Sequence, residues 1–178
     1  MLTVGPEGVV SAIALPLLPQ NKQKLRQAFP YELDESWVVE LAHEHGWEEA
    51  NRRYLQWHRE RGRQEMTALM NILSVKPVPS PRIATELVAL GYEVFLLPEG
   101  FEGRIERLDD NAIRISVAQC PVFDKLERSR WHGVTACPSW HHRQGWYDAI
   151  GIDTDDCMVA EEKWGDAACV AEVTFARP

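Results

Sequence analysis

Basic charge is scarce in this chain. Nineteen Lys and Arg stand against 27 Asp and Glu in 178 residues, a formal charge of -8. That balance opposes a broad phosphate-binding face, so nucleic acid is not an expected partner. Long apolar runs are also missing. The stretch Val9 to Leu18 is broken by Pro16, follows Glu7 and has no basic leader, so it reads neither as a signal peptide nor as a membrane span. The expectation is a cytoplasmic chain with no membrane contact. Closely spaced cysteine pairs are the third absence: no C-x-x-C occurs, which removes the usual sequence signature of a structural zinc site. Internal repeats and low-complexity segments are lacking too. What is present, 45% hydrophobic and 26% charged residues, is the composition of a folded soluble domain, and the length suits one core. Two counts stand out: seven Trp, and four Cys that all lie at or after Cys120.

Along the chain, residues 1–30 carry Gly5, Pro6, Gly8, Pro16, Pro19 and Pro30. They predict an extended N-terminal arm with a short helix near Asn21 to Ala28, and residues 31–178 form a single domain. An apolar arm such as Val9 to Leu18 packs either on its own domain or on a partner subunit, and the second arrangement would make a homodimer. Asp34 is placed to cap a helix bearing Trp37, Val38 and Leu41, with Gly46 as its stop. Trp47, Ala50, Tyr54, Trp57, Arg61, Glu65, Ala68 and Ile72 then succeed one another at steps of three or four, one face of a long helix, with Gly62 a point of kinking or close packing. Three prolines, Pro77, Pro79 and Pro81, mark Lys76 to Pro81 as a loop. Ser80 caps a helix from Pro81 to Leu90 that Gly91 ends. Beyond it the pattern alternates, predicting strands over Tyr92 to Leu97, Gly103 to Leu108 and Ala112 to Ala118, the last two joined at Asp109-Asp110-Asn111. A loop at Pro121, a helix from Pro138 to Ile150 ended by Gly151, and strands near Met158 to Lys163 and Ala167 to Phe175 complete the chain. The class is α+β: N-terminal helices packed on an antiparallel sheet with one inserted helix.

The residues able to carry chemistry gather late. Cys120 and Cys137 lie beside prolines, at the end of a strand and at the start of the inserted helix, where the chain leaves the sheet. Cys137 precedes a helix N-terminus, which favours a thiolate, so it is the first nucleophile candidate and Cys120 the second. The ordinary alternative is that each is a small buried hydrophobe. Strand geometry sets Cys157 apart from Cys169: in a tight hairpin the two face opposite ways or lie about 13 Å apart. Cys120, Cys137 and Cys169 remain as a candidate site for zinc or iron, whose soft-ligand preference suits thiolates. His141 and His142 are adjacent on a helix and cannot point the same way; His141, one turn after Cys137, is the better placed. His132 is a candidate acid or base. His43, His45 and His58 are expected on helix surfaces, with His58 close to Arg61 and Glu65. That pair reads either as an exposed i,i+4 ion pair or as a carboxylate held beside a cavity. Trp131 and Trp140, with Trp146, suggest a wall for a flat ligand.

The run Val117-Ala118-Gln119-Cys120-Pro121-Val122-Phe123, then Thr135-Ala136-Cys137, then Gly165-Asp166-Ala167-Ala168-Cys169-Val170-Ala171-Glu172-Val173-Thr174-Phe175 resembles the L-2-amino-thiazoline-4-carboxylic acid hydrolase family. A more distant similarity is to 4-vinyl reductase type small-molecule-binding domains. The resemblance covers about Asp34 to Phe175 and implies a cysteine ending a strand, a second opening a helix and a third after a glycine turn. It departs where the family carries acidic residues: Cys137 is followed by Pro138, Ser139 and Trp140, and Cys169 by Val170.

Two functions follow as expectations. In the first, a hydrolase acts on a small cyclic or amidine-like C=N substrate: Cys137 or Cys120 attacks, His132 or His141 moves the proton, and Arg61, Glu65, Trp131 and Trp140 hold the substrate. A variant of it lets cysteine-bound metal activate water. In the second, the chain is a non-catalytic sensor domain that binds a small molecule or a metal through Cys120, Cys137 and Cys169.

Overall fold

The structure is a computed structural model, and it describes residues 4–5, 8–9, 17–30, 36–78, 80–97, 100–128, 136–161 and 164–176. The class is α+β. Helices α1 (Pro19–Ala28), α2 (Ser36–His45), α3 (Trp47–Leu73) and α4 (Pro81–Gly91) precede the main sheet. A short ribbon, β1 (Val4–Gly5) with β2 (Gly8–Val9), stands at the N-terminus, and β1 lies against the main sheet's first strand. That sheet contains β3 (Glu102–Arg107), β4 (Ala112–Gln119), β5 (Thr154–Ala160) and β6 (Cys169–Phe175), with α5 (Pro121–Arg128) and α6 (Pro138–Ile150) inserted between β4 and β5. Every pairing is antiparallel and the order is β3-β4-β6-β5.

α4 begins as its residues dictate, with the Ser80 hydroxyl accepting from the Ile83 amide and Pro81 in the first turn. It is buried on all sides from Ala84 to Gly91, lying against α3 and against β4 and β6. A helix of that kind has no polar face to mark its period. Tyr92 to Leu97, expected as a strand, is buried in the same way, so its sequence carries no period that separates strand from helix. The chain continues as a π-helical turn, Tyr92–Leu96, and buries Tyr92, Val94, Phe95 and Leu96. Gly91 does not stop the helix; its missing side chain admits the Trp146 ring, which a Cβ would meet at 3.2 Å. α1 docks on the turn through the Lys22–Glu93 ion pair and through Arg26, which donates to the carbonyls of Val94 (3.1 Å) and Glu93 (3.2 Å).

Ile113, Ile115 and Val117 of β4 point into the main core with Ala171, Val173 and Phe175 of β6. Residues from Pro121 onward form α5 rather than a loop. β5 starts at Thr154, four residues earlier than the alternation suggested, and turns Thr154, Asp156, Met158 and Ala160 away from solvent. Gly151 ends α6 in the left-handed region, at φ 74°. A smaller apolar cluster joins α2 to the start of α3 through Val38, Ala50 and Tyr54. α6 lies along α3, and two glycines bring the backbones into contact: Gly62 faces the His142 carbonyl, and Gly145 faces the Arg59 carbonyl and the Arg63 amide.

Candidate functional site

The α3 stripe interrupted by Arg61 and Glu65 meets α6 at this glycine crossing. Glu65 is completely buried, so the pair is not an exposed surface bridge. Its Oε1 accepts from Arg61 Nε at 2.9 Å; its Oε2 lies 2.7 Å from His142 Nε2 and accepts from the Trp146 indole at 3.3 Å. Burial alone pushes the Glu65 carboxyl up, but His142 and then Arg61 outweigh it and leave the group below its ordinary value. Arg61 also donates to the carbonyls of Phe29 (3.0 Å) and Pro30 (2.7 Å), tying the end of α1 to α3. Both residues expected to hold a substrate are thus engaged in joining three helices.

His142, not His141, is the histidine that reaches this network. His141 is half-buried with its ring edge-on to Trp140 at 4.9 Å, and burial, then the charge of Arg59, lowers its pKa. The adjacency rule was sound, but the face of α6 that turns inward is set by the contact of Gly145 and Trp146 with α3, not by distance from Cys137. His58 departs further from expectation. It is 2% exposed, enclosed edge-on by Tyr54 (4.6 Å) and Trp57 (4.9 Å), and neither ring nitrogen has a hydrogen-bond partner. His43 and His45 do lie exposed on α2.

A second buried network occupies another side of α6. Arg143, 3% exposed, donates to Asp156 on β5 at 3.2 and 3.3 Å, and the Tyr147 hydroxyl donates to the same carboxylate at 3.0 Å. Tyr92, within reach of Arg143, is pushed up to about 12 by burial, and Tyr147 is raised for the same reason. Sequence reasoning missed Arg143, Tyr147 and Asp156. The alternation Thr154, Asp156, Met158 carries the signal once β5 begins at Thr154.

The thiols gather only partly. Cys120 directly follows β4 and is buried, with Sγ 3.8 Å from the Ser139 hydroxyl, and the electrostatic influence of Cys137 and Cys169 reaches it. Cys137 is the N-cap residue of α6. Its expected lowered pKa is not what the structure has. Burial raises the Cys137 thiol despite Arg143 and the nearby amides, and burial pushes Cys120 up to about 12. Cys169 shares the core face of β6 opposite Val117, whereas Cys157 pairs with Glu172 and is exposed. Among the described residues no group of three or more His, Cys, Asp and Glu is arranged to hold a metal ion. Trp140 stands in the first turn of α6, its indole Nε1 buried without a hydrogen-bond partner. Trp131 and His132 lie outside the described residues. No described helix is long and apolar enough to cross a membrane.

No family model matches this chain, and no curated protein matches it. Among solved structures, one described as "Probing the function of heme distortion in the H-NOX family" is similar at 10% identity with a TM-score of 0.47, covering 89% of this chain and 86% of that one. Another, "Modulating Heme Redox Potential Through Protein-Induced Porphyrin Distortion", gives 11% identity and 0.47 over 89% and 92%. A third, "Structural insights into the molecular mechanism of H-NOX activation", gives 10% and 0.44 over 89% and 88%. Likeness at that level carries no argument about ligand or activity. These comparisons correct the expected kinship: the three structures are described in H-NOX or haem terms, none as a thiazoline hydrolase or a 4-vinyl reductase type domain, and no family model supports either resemblance.

Proposed function

We propose that this chain is a non-catalytic domain that binds a small molecule, acting as a sensor or adaptor rather than as an enzyme. The observation that supports this reading is the state of its reactive groups. Cys120 is pushed up to about 12 and Cys137 is raised, so neither supplies a thiolate near neutral pH. Glu65 and His142, an acid and base by type, are spent on each other at 0% and 2% side-chain exposure and cannot touch a substrate.

The lining we assign to the ligand is the thiol end of the sheet: Cys120, Cys137, Ser139 and Trp140, with Cys169 on the neighbouring strand. The buried, unpartnered Trp140 indole supports a polar acceptor on the ligand. The haem named in the descriptions above does not fit His58 or His142, the two buried histidines among the described residues. An axial ligand needs a free ring nitrogen facing a porphyrin-wide slot. His142 Nε2 is held by Glu65, and the glycine crossing and the edge-on rings of Tyr54 and Trp57 close the space beside His58.

Native mass spectrometry of the chain purified without additives tests the reading. One small molecule per chain, lost in Trp140→Ala and in Cys120→Phe, is the expected result. A bare chain mass in every preparation, or turnover that disappears in Cys137→Ser, overturns it.

A further inference from the structure

His58 is a buried base with nowhere to put a proton. Its two ring nitrogens lack partners, its ring is walled by Tyr54 and Trp57, and the His142 ring stands 6.3 Å away across the helix crossing. We propose that the α3–α6 crossing is an acid-opened latch with His58 as its trigger: once protonated, the ring has no acceptor for its N–H groups and meets positive neighbours, so the helices part to hydrate it.

The surroundings offer no relief while the crossing is closed. From α6, His142 and His141 face His58, and Arg61 comes from its own helix; all three oppose a positive charge there. Glu65, the nearby carboxylate, is already held by Arg61 and His142. Asp148 of α6 is bound by Arg59, and Glu86 of α4 by Arg82. α2 presents Glu40, His43, Glu44 and His45 to solvent, and the basic residues Lys22 and Arg26 of α1 are engaged on Glu93 and Val94. Burial, the largest influence, also holds His58 well below its ordinary range, which agrees with the geometry.

The sign follows directly. A base whose folded pKa is depressed contributes stability that is present above its unfolded value, about 6.5, and is lost as pH falls below it. Between about pH 7.5 and pH 5.5, one such proton raises the opening constant about tenfold.

Hydrogen exchange on the full chain at those two pH values, corrected for intrinsic rates, tests the latch. The native chain is expected to show an increase of about tenfold in opening across α6 and the middle of α3, and His58→Phe, which keeps the ring packing, is expected to show none. An equal increase in both chains, or none in the native chain, overturns the proposal. If His58→Phe does not fold, nuclear magnetic resonance titration of the native histidine rings decides: a His58 that ionises near pH 6.5 inside a closed crossing overturns the latch, and a ring that stays neutral until the helices open supports it.

Discussion

Gly62 on α3 and the His142 carbonyl on α6 leave no room between them for a side chain: a Cβ on Gly62 would lie 3.0 Å from the carbonyl carbon and closer still to its oxygen. Because the obstacle is backbone, no rotamer change relieves it. Gly62→Ala is therefore expected to destabilise the fold by about 3 kcal/mol or more, the range reserved for specific core disruptions. Gly145→Ala, whose Cβ would sit 2.7 Å from the Arg63 amide nitrogen, behaves alike. Gly151→Ala costs about 1–2 kcal/mol, because only a left-handed backbone is at stake there. Urea unfolding ranks the three, and equal losses at Gly62 and Gly151 contradict the close crossing.

The crossing also binds charge. Removing the Glu65 carboxylate in Glu65→Gln leaves Arg61 and His142 facing each other across a buried interface, with an expected loss of about 3–5 kcal/mol at neutral pH. The Glu65 pKa is depressed in the folded chain, so its contribution is present above the unfolded value of about 4.5 and is lost as pH falls through the folded one. Unfolding followed between about pH 6 and pH 3 should show this descent in the native chain and a weaker one in Glu65→Gln.

Asp156 holds the second network in the same manner. Asp156→Asn leaves the buried Arg143 without its counter-charge and is expected to cost about 3–5 kcal/mol, whereas Tyr147→Phe, removing one hydrogen bond, costs about 1 kcal/mol. Denaturant midpoints of the two variants measure the difference.

Tyr92 and Tyr147 provide an alkaline test. Both hold their protons above the ordinary tyrosine range in the folded chain, Tyr92 to about 12, so the native state keeps protons that the unfolded chain loses above about pH 10, and stability falls as pH rises past that point. Ultraviolet difference titration should show the Tyr92→Phe variant losing a high-pH step. A loss at about pH 10 contradicts its burial.

Much of this architecture is written locally. Ser80 before Pro81, Pro138 in the first turn of α6, Gly151 after Ile150 and the alternating Ile113, Ile115 and Val117 each act through their own neighbours, and the elements they predict occur. The π-helical turn was illegible because Tyr92 to Leu96 is buried nearly all round, so period two and period 3.6 look the same. The candidate site was legible in type but not in direction. Arg61 and Glu65 stood out as polar breaks in an apolar stripe, yet their partner His142 lies 77 residues from Glu65 and is selected over His141 by the angle at which two glycines let the helices meet. Cys137 shows the competing effect: a helix N-terminus lowers a thiol pKa in water, but burial outweighs it here.

The burial of Cys120 and Cys137, which raises both thiols, carries the proposed function, and the pH dependence of thiol alkylation tests it most directly. In a Cys157→Ser chain, which removes the exposed thiol, iodoacetamide labelling of Cys120 and Cys137 should be slow at neutral pH and still rising beyond about pH 9. A labelling rate at either residue that has already reached its plateau below pH 7 would reveal a thiolate and contradict the account.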